Sequence, residues 1–170
     1  MSGLEKPIPM FSTRVTNLCG NAHVPGDKSI SHRSIIIPSI SNGVCEIENL
    51  LMSDDVMHTL NSFKEMGVRI EEDKSKIKIF GKGLNSLKKP NKELYLGNSG
   101  TSARLLAGLL STQNFSSTLV GDKSLSSRPM KRVSEPLSTM NANIKTNNGC
   151  LPLIIEGKEL DNKTIEITLP

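Results

Sequence analysis

The chain is organised around one stretch, Val24-Pro25-Gly26-Asp27-Lys28-Ser29-Ile30-Ser31-His32-Arg33, which stands before the apolar run Ile35-Ile36-Ile37. A Pro-Gly turn that opens a helix leaves unpaired backbone N–H groups and the positive end of the helix dipole at one point. Lys28, Ser29 and Arg33 gather around that point, and Ser29 and Arg33 share a helix face. Such a cluster is suited to holding a phosphate or a carboxylate. The stretch alone leaves a second interpretation open, a Ser-capped surface helix whose basic residues are solvated.

Composition is typical of a globular domain and gives little support to nucleic-acid binding. The chain has 170 residues, 36% hydrophobic and 22% charged, which is enough for one domain with a core. Its net charge is +4, and aromatic residues make up only 3%, with no Trp and one Tyr. Stacking surfaces for single-stranded nucleic acid are therefore nearly absent. We expect small anionic substrates rather than nucleic acid as partners.

The remaining composition signals are negative. The three cysteines are widely spaced and give neither a disulfide framework nor a CxxC metal pair, and the three histidines do not stand at metal-ligand spacing. No apolar run approaches the length of a membrane span, and no apolar signal-like segment precedes the first motif. We therefore expect a cytoplasmic protein with no membrane partner and no metal site.

Hydrophobic periodicity and turn signals predict alternating strands and helices. In the first part, strands are predicted at 21–24, 44–50, 68–71 and 76–80, with a turn around Asp73 and Lys74, and helices at 28–40 and after the cap Ser53. In the second part, strands are predicted at 94–96, 117–120, 142–145 and 151–155, and helices at 101–110 and 128–140, the latter opened by Arg128-Pro129. A further strand is predicted at 164–169.

The two parts align with each other as an internal repeat. Ser31-His32-Arg33 matches Ser102-Ala103-Arg104 at an offset of 71, and 66–70 matches 140–144 at an offset of 74. Each part reads β-α-β-α-β-β, so we predict an α/β domain of repeated units at about 21–81 and 93–156, with the start of a third at 164–170. The alternative is that two α/β halves are similar by chance.

Three polar turns carry the candidate chemistry, because repeated units that begin with polar turns tend to bring those turns to one end of a domain. They are Gly26–Ser29 followed by Arg33, Leu96–Thr101 followed by Arg104, and Gly121–Pro129. Glycine allows close approach of the backbone to a ligand, and arginine grips a carboxylate or phosphate with two donors. None matches a nucleotide-binding loop. The two further turns favour the anion site over the capped helix at Lys28.

Two residues near the first turn need separate interpretation. Ser29 has no partnered base in view, so we interpret it as a phosphate ligand rather than a nucleophile. For His32 we expect a supporting role rather than an acid–base role. His58 is expected on a helix surface.

The three turns, PGDKSISHR at 25–33, LGNSGTSAR at 96–104 and GDKSLSSRPM at 121–130, resemble in this order the signature turns of the EPSP synthase (3-phosphoshikimate 1-carboxyvinyltransferase) family. The resemblance runs from about Asn21 to Pro170 and implies that family's inside-out α/β barrel, here incomplete. It implies transfer of the enolpyruvyl group of phosphoenolpyruvate to the 5-hydroxyl of shikimate 3-phosphate with release of phosphate, on the route to chorismate and the aromatic amino acids. It implies no metal or organic cofactor, and a monomer at full length. The sister family of UDP-N-acetylglucosamine enolpyruvyl transferases is disfavoured, because its lysine-asparagine turn and cysteine-bearing loop are not seen.

The resemblance also assigns roles to residues. Lys28 is implied to contact both substrates and to position them for catalysis, while Ser29 and Arg33 hold shikimate 3-phosphate. Asn98 and Gly100 line the phosphoenolpyruvate pocket, and Arg128 grips that substrate. For Arg104, a structural role on its helix is an equal alternative.

The family pattern continues beyond what this sequence contains. Family members follow the strand near 165–170 with a Ser-Ala-Gln turn and a second domain that carries the acid–base carboxylates, and neither is found here. Residues 1–20 are implied to be a crossover segment that belongs with that second domain. We therefore expect a truncated N-terminal portion that is inactive alone. The alternatives are a non-catalytic anion-binding module and half of a split enzyme, which the coding sequence after Pro170 would distinguish from truncation.

Overall fold

Helices and strands alternate along the chain in the computed structural model, which describes residues 10–17, 19–73 and 76–166. The first part contains α1 (Lys28–Ile40), β1 (Asn42–Glu48), α2 (Asp54–Glu65), β2 (Arg69–Asp73) and β3 (Lys76–Lys82). A short 3₁₀ turn, Leu84–Ser86, connects it to the second part. The second part contains β4 (Leu94–Tyr95), α3 (Gly100–Ser111), β5 (Ser116–Val120), α4 (Lys123–Ser126), α5 (Lys131–Thr139), β6 (Asn143–Asn147) and β7 (Cys150–Glu156).

The two sheets show the predicted repeat in their strand order. The first sheet has the order β1-β3-β2 and the second β4-β5-β7-β6, so that β5, β7 and β6 repeat the arrangement of β1, β3 and β2. These repeated pairs are all antiparallel, while β4 adds to β5 as a parallel strand. The predicted fold class, an α/β domain of repeated units, is confirmed.

The core lies between the sheets and the helices that cover one face of each. In α2, Val56, Leu60 and Phe63 fall at helical spacing and are fully buried, because positions three and four apart share a face. In the strands, burial alternates: Ile77 and Ile79 of β3 are buried, as are the apolar residues at every second position of β7. The same core also holds the apolar side chains of α3, chiefly Ala103, Leu106 and Leu110.

The strand predicted at 21–24 does not form, and this prediction is wrong. In the second part, β4 is fixed by the buried side chains of Leu94 and Leu96 and by the bond from the Leu96 N–H to the Val120 carbonyl, 2.9 Å. At the repeat offset of 71, the corresponding first-part residues are His23 and Pro25. Proline has no N–H for a strand ladder, and His23 supplies no apolar anchor, so the segment forms no strand and stays exposed.

Two other element boundaries differ from the predictions. The helix predicted from Arg128 begins at Lys131, and a separate short helix, α4, precedes it. Of the strand predicted at 164–169, residues 164–166 form no strand and the rest lies outside the described residues. The crossover assignment of 1–20 stays a prediction: residues 1–9 and 18 are not described, and the remainder is exposed and forms no helix or strand. Lys74, in the predicted turn after Asp73, is likewise outside the described residues.

Two other features are absent from the described ranges. None of the helices there has both the length and the apolar character needed to cross a membrane. Among the same residues, no group of three or more His, Cys, Asp or Glu side chains could hold a metal ion.

Candidate anion-binding site

The first turn is built as a capped helix N-terminus that carries a paired lysine. The Asp27 carboxylate accepts a hydrogen bond from the Ile30 N–H, 2.7 Å, and so starts α1 directly after the turn. The Lys28 ammonium forms an ion pair with the Asp55 carboxylate in the first turn of α2. Gly26 is required here, because a Cβ would lie 2.3 Å from the Asn49 carbonyl oxygen at the end of β1. The turn is therefore held against both β1 and α2.

Ser29 and Arg33 lie on the exposed face of α1. Within residues 10–17, 19–73 and 76–166, neither side chain has a hydrogen-bond partner. Arg33 lies beside a surface cleft between α1 and β1 that Ile30, Ile37 and Glu46 also line. Both side chains are exposed, and among the described residues no hydrogen bond or ion pair joins them to the other two turns.

The second and third turns bring Asn98, Gly100 and Arg128 together, the three residues to which the resemblance assigns a common ligand. The Arg128 guanidinium donates to the Asn98 side-chain oxygen and, at 3.4 Å, to the Asn98 carbonyl. A Cβ on Gly100 would lie 3.3 Å from an Arg128 nitrogen and 2.7 Å from an Arg104 nitrogen. Two guanidinium groups thus face the N-terminus of α3, which carries the positive end of the helix dipole.

Arg104 has a contact of its own in this region. One of its guanidinium nitrogens donates to the Pro129 carbonyl at 3.4 Å. This contact ties α3 to the third turn, which suits the structural role left open by the sequence, and its position beside Gly100 also suits ligand binding.

The third turn repeats the construction of the first. Asp122 caps α4 by accepting from the Leu125 N–H, 2.6 Å, just as Asp27 caps α1. The Asp122 N–H donates to the Gly97 carbonyl, 2.8 Å, which fastens the third turn to the second. The tetrapeptide Gly-Asp-Lys-Ser occurs at both 26–29 and 121–124, and this identity is the sequence signal for the short helix α4, which the predicted elements omit.

A buried polar network joins the first turn to the second. His32 on α1 is fully buried, and its Nδ1 lies 2.8 Å from the Thr59 hydroxyl of α2 and 3.3 Å from the Ser102 hydroxyl of α3. The Thr59 and Ser102 hydroxyls are 2.5 Å apart, and Ser102 lies 2.7 Å from the Ser99 hydroxyl that caps α3. The N-terminal ends of three helices therefore meet at one place.

Burial disfavours the charged form of His32. Its pKa is lowered from the ordinary value of 6.5 by desolvation first and then by the nearby Lys28 ammonium, while the Asp55 carboxylate opposes the shift. A neutral imidazole inside the network supports the helices and is not exposed to a substrate, which agrees with the supporting role expected for His32.

We predict that the chain loses stability as pH falls below about 6.5, because the unfolded chain takes up a proton at His32 that the folded chain resists. This one residue changes the free energy of unfolding by at most about 1.4 kcal/mol per pH unit. The loss occurs between the pKa of His32 in the unfolded chain and its lower pKa in the folded chain. Urea denaturation between about pH 7.5 and pH 5.5 measures it. His32→Asn keeps an N–H donor without titrating and is expected to flatten the slope; equal slopes for the variant and the wild type would contradict the prediction.

Several residues of this region were not identified from the sequence. Asp55 carries no candidate role in the sequence, although it is the partner of Lys28. His58 was expected on a helix surface, but it is half-buried: a Cβ on Gly97 would lie 2.4 Å from its ring, and its ring meets Tyr95 edge to face at 5.1 Å. His58 therefore supports the second turn. No local motif marks either contact, because each joins separate elements.

The arrangement can bind anions. Three helix N-termini direct N–H groups and positive dipole ends toward one region, and Lys28, Arg104 and Arg128 add formal positive charge there. The Asp27 and Asp122 carboxylates are engaged in capping, and the Asp55 carboxylate pairs with Lys28. Among the described residues, Arg33, Arg104 and Arg128 have no ion-pair partner and supply the available charge. Two anions could be held side by side, one at the first turn and one between the second and third.

Comparisons with known proteins point to one family. The family model described as EPSP synthase (3-phosphoshikimate 1-carboxyvinyltransferase) matches residues 12–170. A 3-phosphoshikimate 1-carboxyvinyltransferase of Ruthia magnifica is 53% identical over 153 residues, which cover 89% of this chain and 35% of that protein. One from Streptococcus agalactiae is 52% identical over 147 residues, covering 85% of this chain and 34% of that protein.

Solved structures give the same result. An EPSP synthase from Acinetobacter baumannii superimposes with a TM-score of 0.82 and 45% sequence identity, covering 89% of this chain and 35% of that one. The chain thus spans about a third of the length of the relatives that it matches.

Proposed function

The chain belongs to the EPSP synthase family, and from this membership we propose that it supplies substrate-binding groups for one reaction. In that reaction the enolpyruvyl group of phosphoenolpyruvate is transferred to the 5-hydroxyl of shikimate 3-phosphate, and phosphate is released. The observation that carries the proposal is the linkage of three capped, basic turns, the first to the second by the His32–Ser102 contact and the second to the third by the Arg128–Asn98 bonds. The shikimate pathway to chorismate and the aromatic amino acids is the corresponding biological role.

Each turn has a proposed share in binding. Lys28, Ser29 and Arg33 hold shikimate 3-phosphate, since the hydroxyl and guanidinium of the latter two are free and on one face of α1. Asn98, Gly100 and Arg128 hold phosphoenolpyruvate, with Lys28 between the two substrates. To contact them, the Lys28 ammonium must share or leave the Asp55 carboxylate.

The proposed mechanism of these groups is charge compensation and orientation. Both substrates are anions, and bringing them together costs electrostatic repulsion that Lys28, Arg33 and Arg128 reduce. Fixed N–H groups at the helix N-termini need little reorganisation when they bind the anions. Holding the reacting hydroxyl beside the enolpyruvyl carbon lowers the barrier through proximity.

These 170 residues span about a third of the relatives, so we propose that alone they bind shikimate 3-phosphate weakly and do not turn over. A cytoplasmic location and a monomeric full-length protein are further proposals, and their support is the family resemblance.

We predict that calorimetric titration of shikimate 3-phosphate into the chain gives measurable heat, and that Arg33→Ala weakens binding by about tenfold to 150-fold. Loss of a charge-assisted hydrogen bond to an anion costs about 1.5–3 kcal/mol. Lys28→Ala is expected to weaken binding at least as much, since it also leaves the Asp55 carboxylate unpaired near the ligand.

Arg132→Ala is the matched control, because Arg132 is an exposed arginine on α5 outside the three turns. The affinity of this variant for shikimate 3-phosphate is expected to equal that of the wild type. A phosphate-release assay on the same samples is expected to stay at background. No heat from the wild type, or unchanged affinity in both turn variants, would refute the proposal. Equal affinity for inorganic phosphate and shikimate 3-phosphate would instead support the non-catalytic anion-binding module.

A further inference from the structure

The network around His32 links residues that are far apart in the sequence and closed to solvent. His32, Thr59 and Ser102 all have 0% exposure, and they come from three different helices. No substrate can touch them in this structure. Their effect on binding must therefore act through the positions of the helices that carry the first and second turns.

Two arrangements of the network use every hydroxyl proton. In both, the Ser99 hydroxyl donates to Ser102 and Ser102 donates to Thr59. Thr59 then donates either to the Asp55 carbonyl oxygen at 3.3 Å, in which case its own oxygen accepts from a protonated His32 Nδ1, or to an unprotonated Nδ1 at 2.8 Å.

The other tautomer is less favourable. It would place the proton on Nε2, which is buried and has no hydrogen-bond partner among the described residues. An unpartnered buried N–H is costly, whereas an unpartnered ring lone pair loses less. The geometry therefore assigns the Nδ1–H tautomer to His32.

From this geometry we propose that His32, Thr59 and Ser102 are positioning residues that fix the first turn relative to the second, so that shikimate 3-phosphate binding depends on side chains it never contacts. The inference rests on the proposed function. The network ends at the Asp55 carbonyl, and the Asp55 side chain holds Lys28, so a shift at Thr59 moves the lysine directly. The network also fixes the orientation of α1, on which Ser29 and Arg33 lie.

A small displacement is sufficient for a measurable effect, because hydrogen bonds weaken steeply once their distance and angle depart from the optimum. Thr59→Val and Ser102→Ala each remove one hydroxyl, and each is expected to weaken shikimate 3-phosphate binding by about fivefold to tenfold. The control is Ser111→Ala: Ser111 is also a buried serine of α3, but its hydroxyl bonds to the Ala107 carbonyl at the opposite end of that helix. The affinity of Ser111→Ala for shikimate 3-phosphate is expected to equal that of the wild type.

Two variants at His32 distinguish the effect of losing the hydrogen-bond donor from the effect of changing the side-chain volume. His32→Asn places an amide N–H near the position of Nδ1 and is expected to keep most of the affinity. His32→Leu keeps apolar volume without a donor and is expected to lose about tenfold, as do the hydroxyl variants. Circular dichroism checks that each variant is folded at the temperature of the titration.

A second readout does not depend on ligand binding or on any variant. In a long-range ¹H–¹⁵N spectrum of the wild-type chain, His32 is expected to show the Nδ1–H tautomer. The Nε2–H tautomer would overturn the assignment and with it the proposal. Wild-type binding with unchanged affinity in both Thr59→Val and Ser102→Ala would overturn the positioning role alone, whereas no wild-type binding would overturn the proposed function and this inference together.

Discussion

Replacing Gly81 by alanine is expected to lower the free energy of unfolding by about 3 kcal/mol, since overpacking a buried site that cannot relax costs energy of this order. Gly81 lies near the end of β3, where the strand crosses the C-terminal end of α1. A Cβ there would lie 2.1 Å from the Pro38 carbonyl oxygen and 2.2 Å from the Ser41 carbonyl oxygen. Both are backbone atoms, so no side-chain rotation relieves the clash.

Urea denaturation followed by circular dichroism measures this change, and Gly108→Ala is its control. Gly108 lies within α3, and a Cβ added to it would meet no atom of the described residues within 4 Å outside its own helix backbone and chain neighbours. Alanine there is expected to stabilise the chain by about 0.5–1 kcal/mol through helix propensity. A Gly81→Ala variant as stable as the wild type would contradict the packing of β3 on α1.

The same packing occurs in the second part of the chain. A Cβ on Gly157, after β7, would lie 2.2 Å from the Gln113 carbonyl oxygen and 2.7 Å from that of Leu110, at the C-terminal end of α3. A glycine at this crossing is thus a repeated structural requirement of the two units.

Replacing Arg128 by alanine is expected to abolish phosphoenolpyruvate binding or to weaken it by about tenfold to 150-fold, on the basis of the proposed site. The guanidinium bonds to both oxygens of Asn98 and lies beside Gly100, so its removal takes away the bidentate donor and leaves Asn98 unsupported. Calorimetric titration of phosphoenolpyruvate into chain saturated with shikimate 3-phosphate measures the loss.

Two variants make this test specific. Arg128→Lys keeps the charge but cannot reach Asn98 and a ligand with two donors at once, so intermediate affinity is expected. Arg104→Ala determines whether the second guanidinium at Gly100 is structural or binds the ligand. Unchanged phosphoenolpyruvate affinity in Arg128→Ala would remove Arg128 from the site.

Local sequence signals determined much of the fold. The start of α1 at Lys28 follows from the Pro-Gly turn and the Asp27 cap, and the buried face of α2 follows from the spacing of Val56, Leu60 and Phe63. The repeat, visible as Ser31-His32-Arg33 against Ser102-Ala103-Arg104, predicted two units of similar element order, and the structure adds the strand order that their sheets share. The basic, glycine-containing turns predicted the anion-binding character of the site. All of these depend on residues within one turn or one helix, whose energetics are short-range.

Tertiary structure decided the rest, where the partners are distant in the chain. Lys28 and Asp55 are 27 residues apart and Ser102 and His32 are 70 apart, so no local pattern pairs them. A strand at 21–24 would need a backbone N–H and an apolar side chain to contact β1, and Pro25 and His23 do not supply them. The turn sequences by themselves indicated that anions bind. Only the packing of α1, α2 and α3 determined which buried groups fix the distance between the first and second turns. That distance is set by side-chain contacts between the helices, and the sequence of a single helix does not encode it.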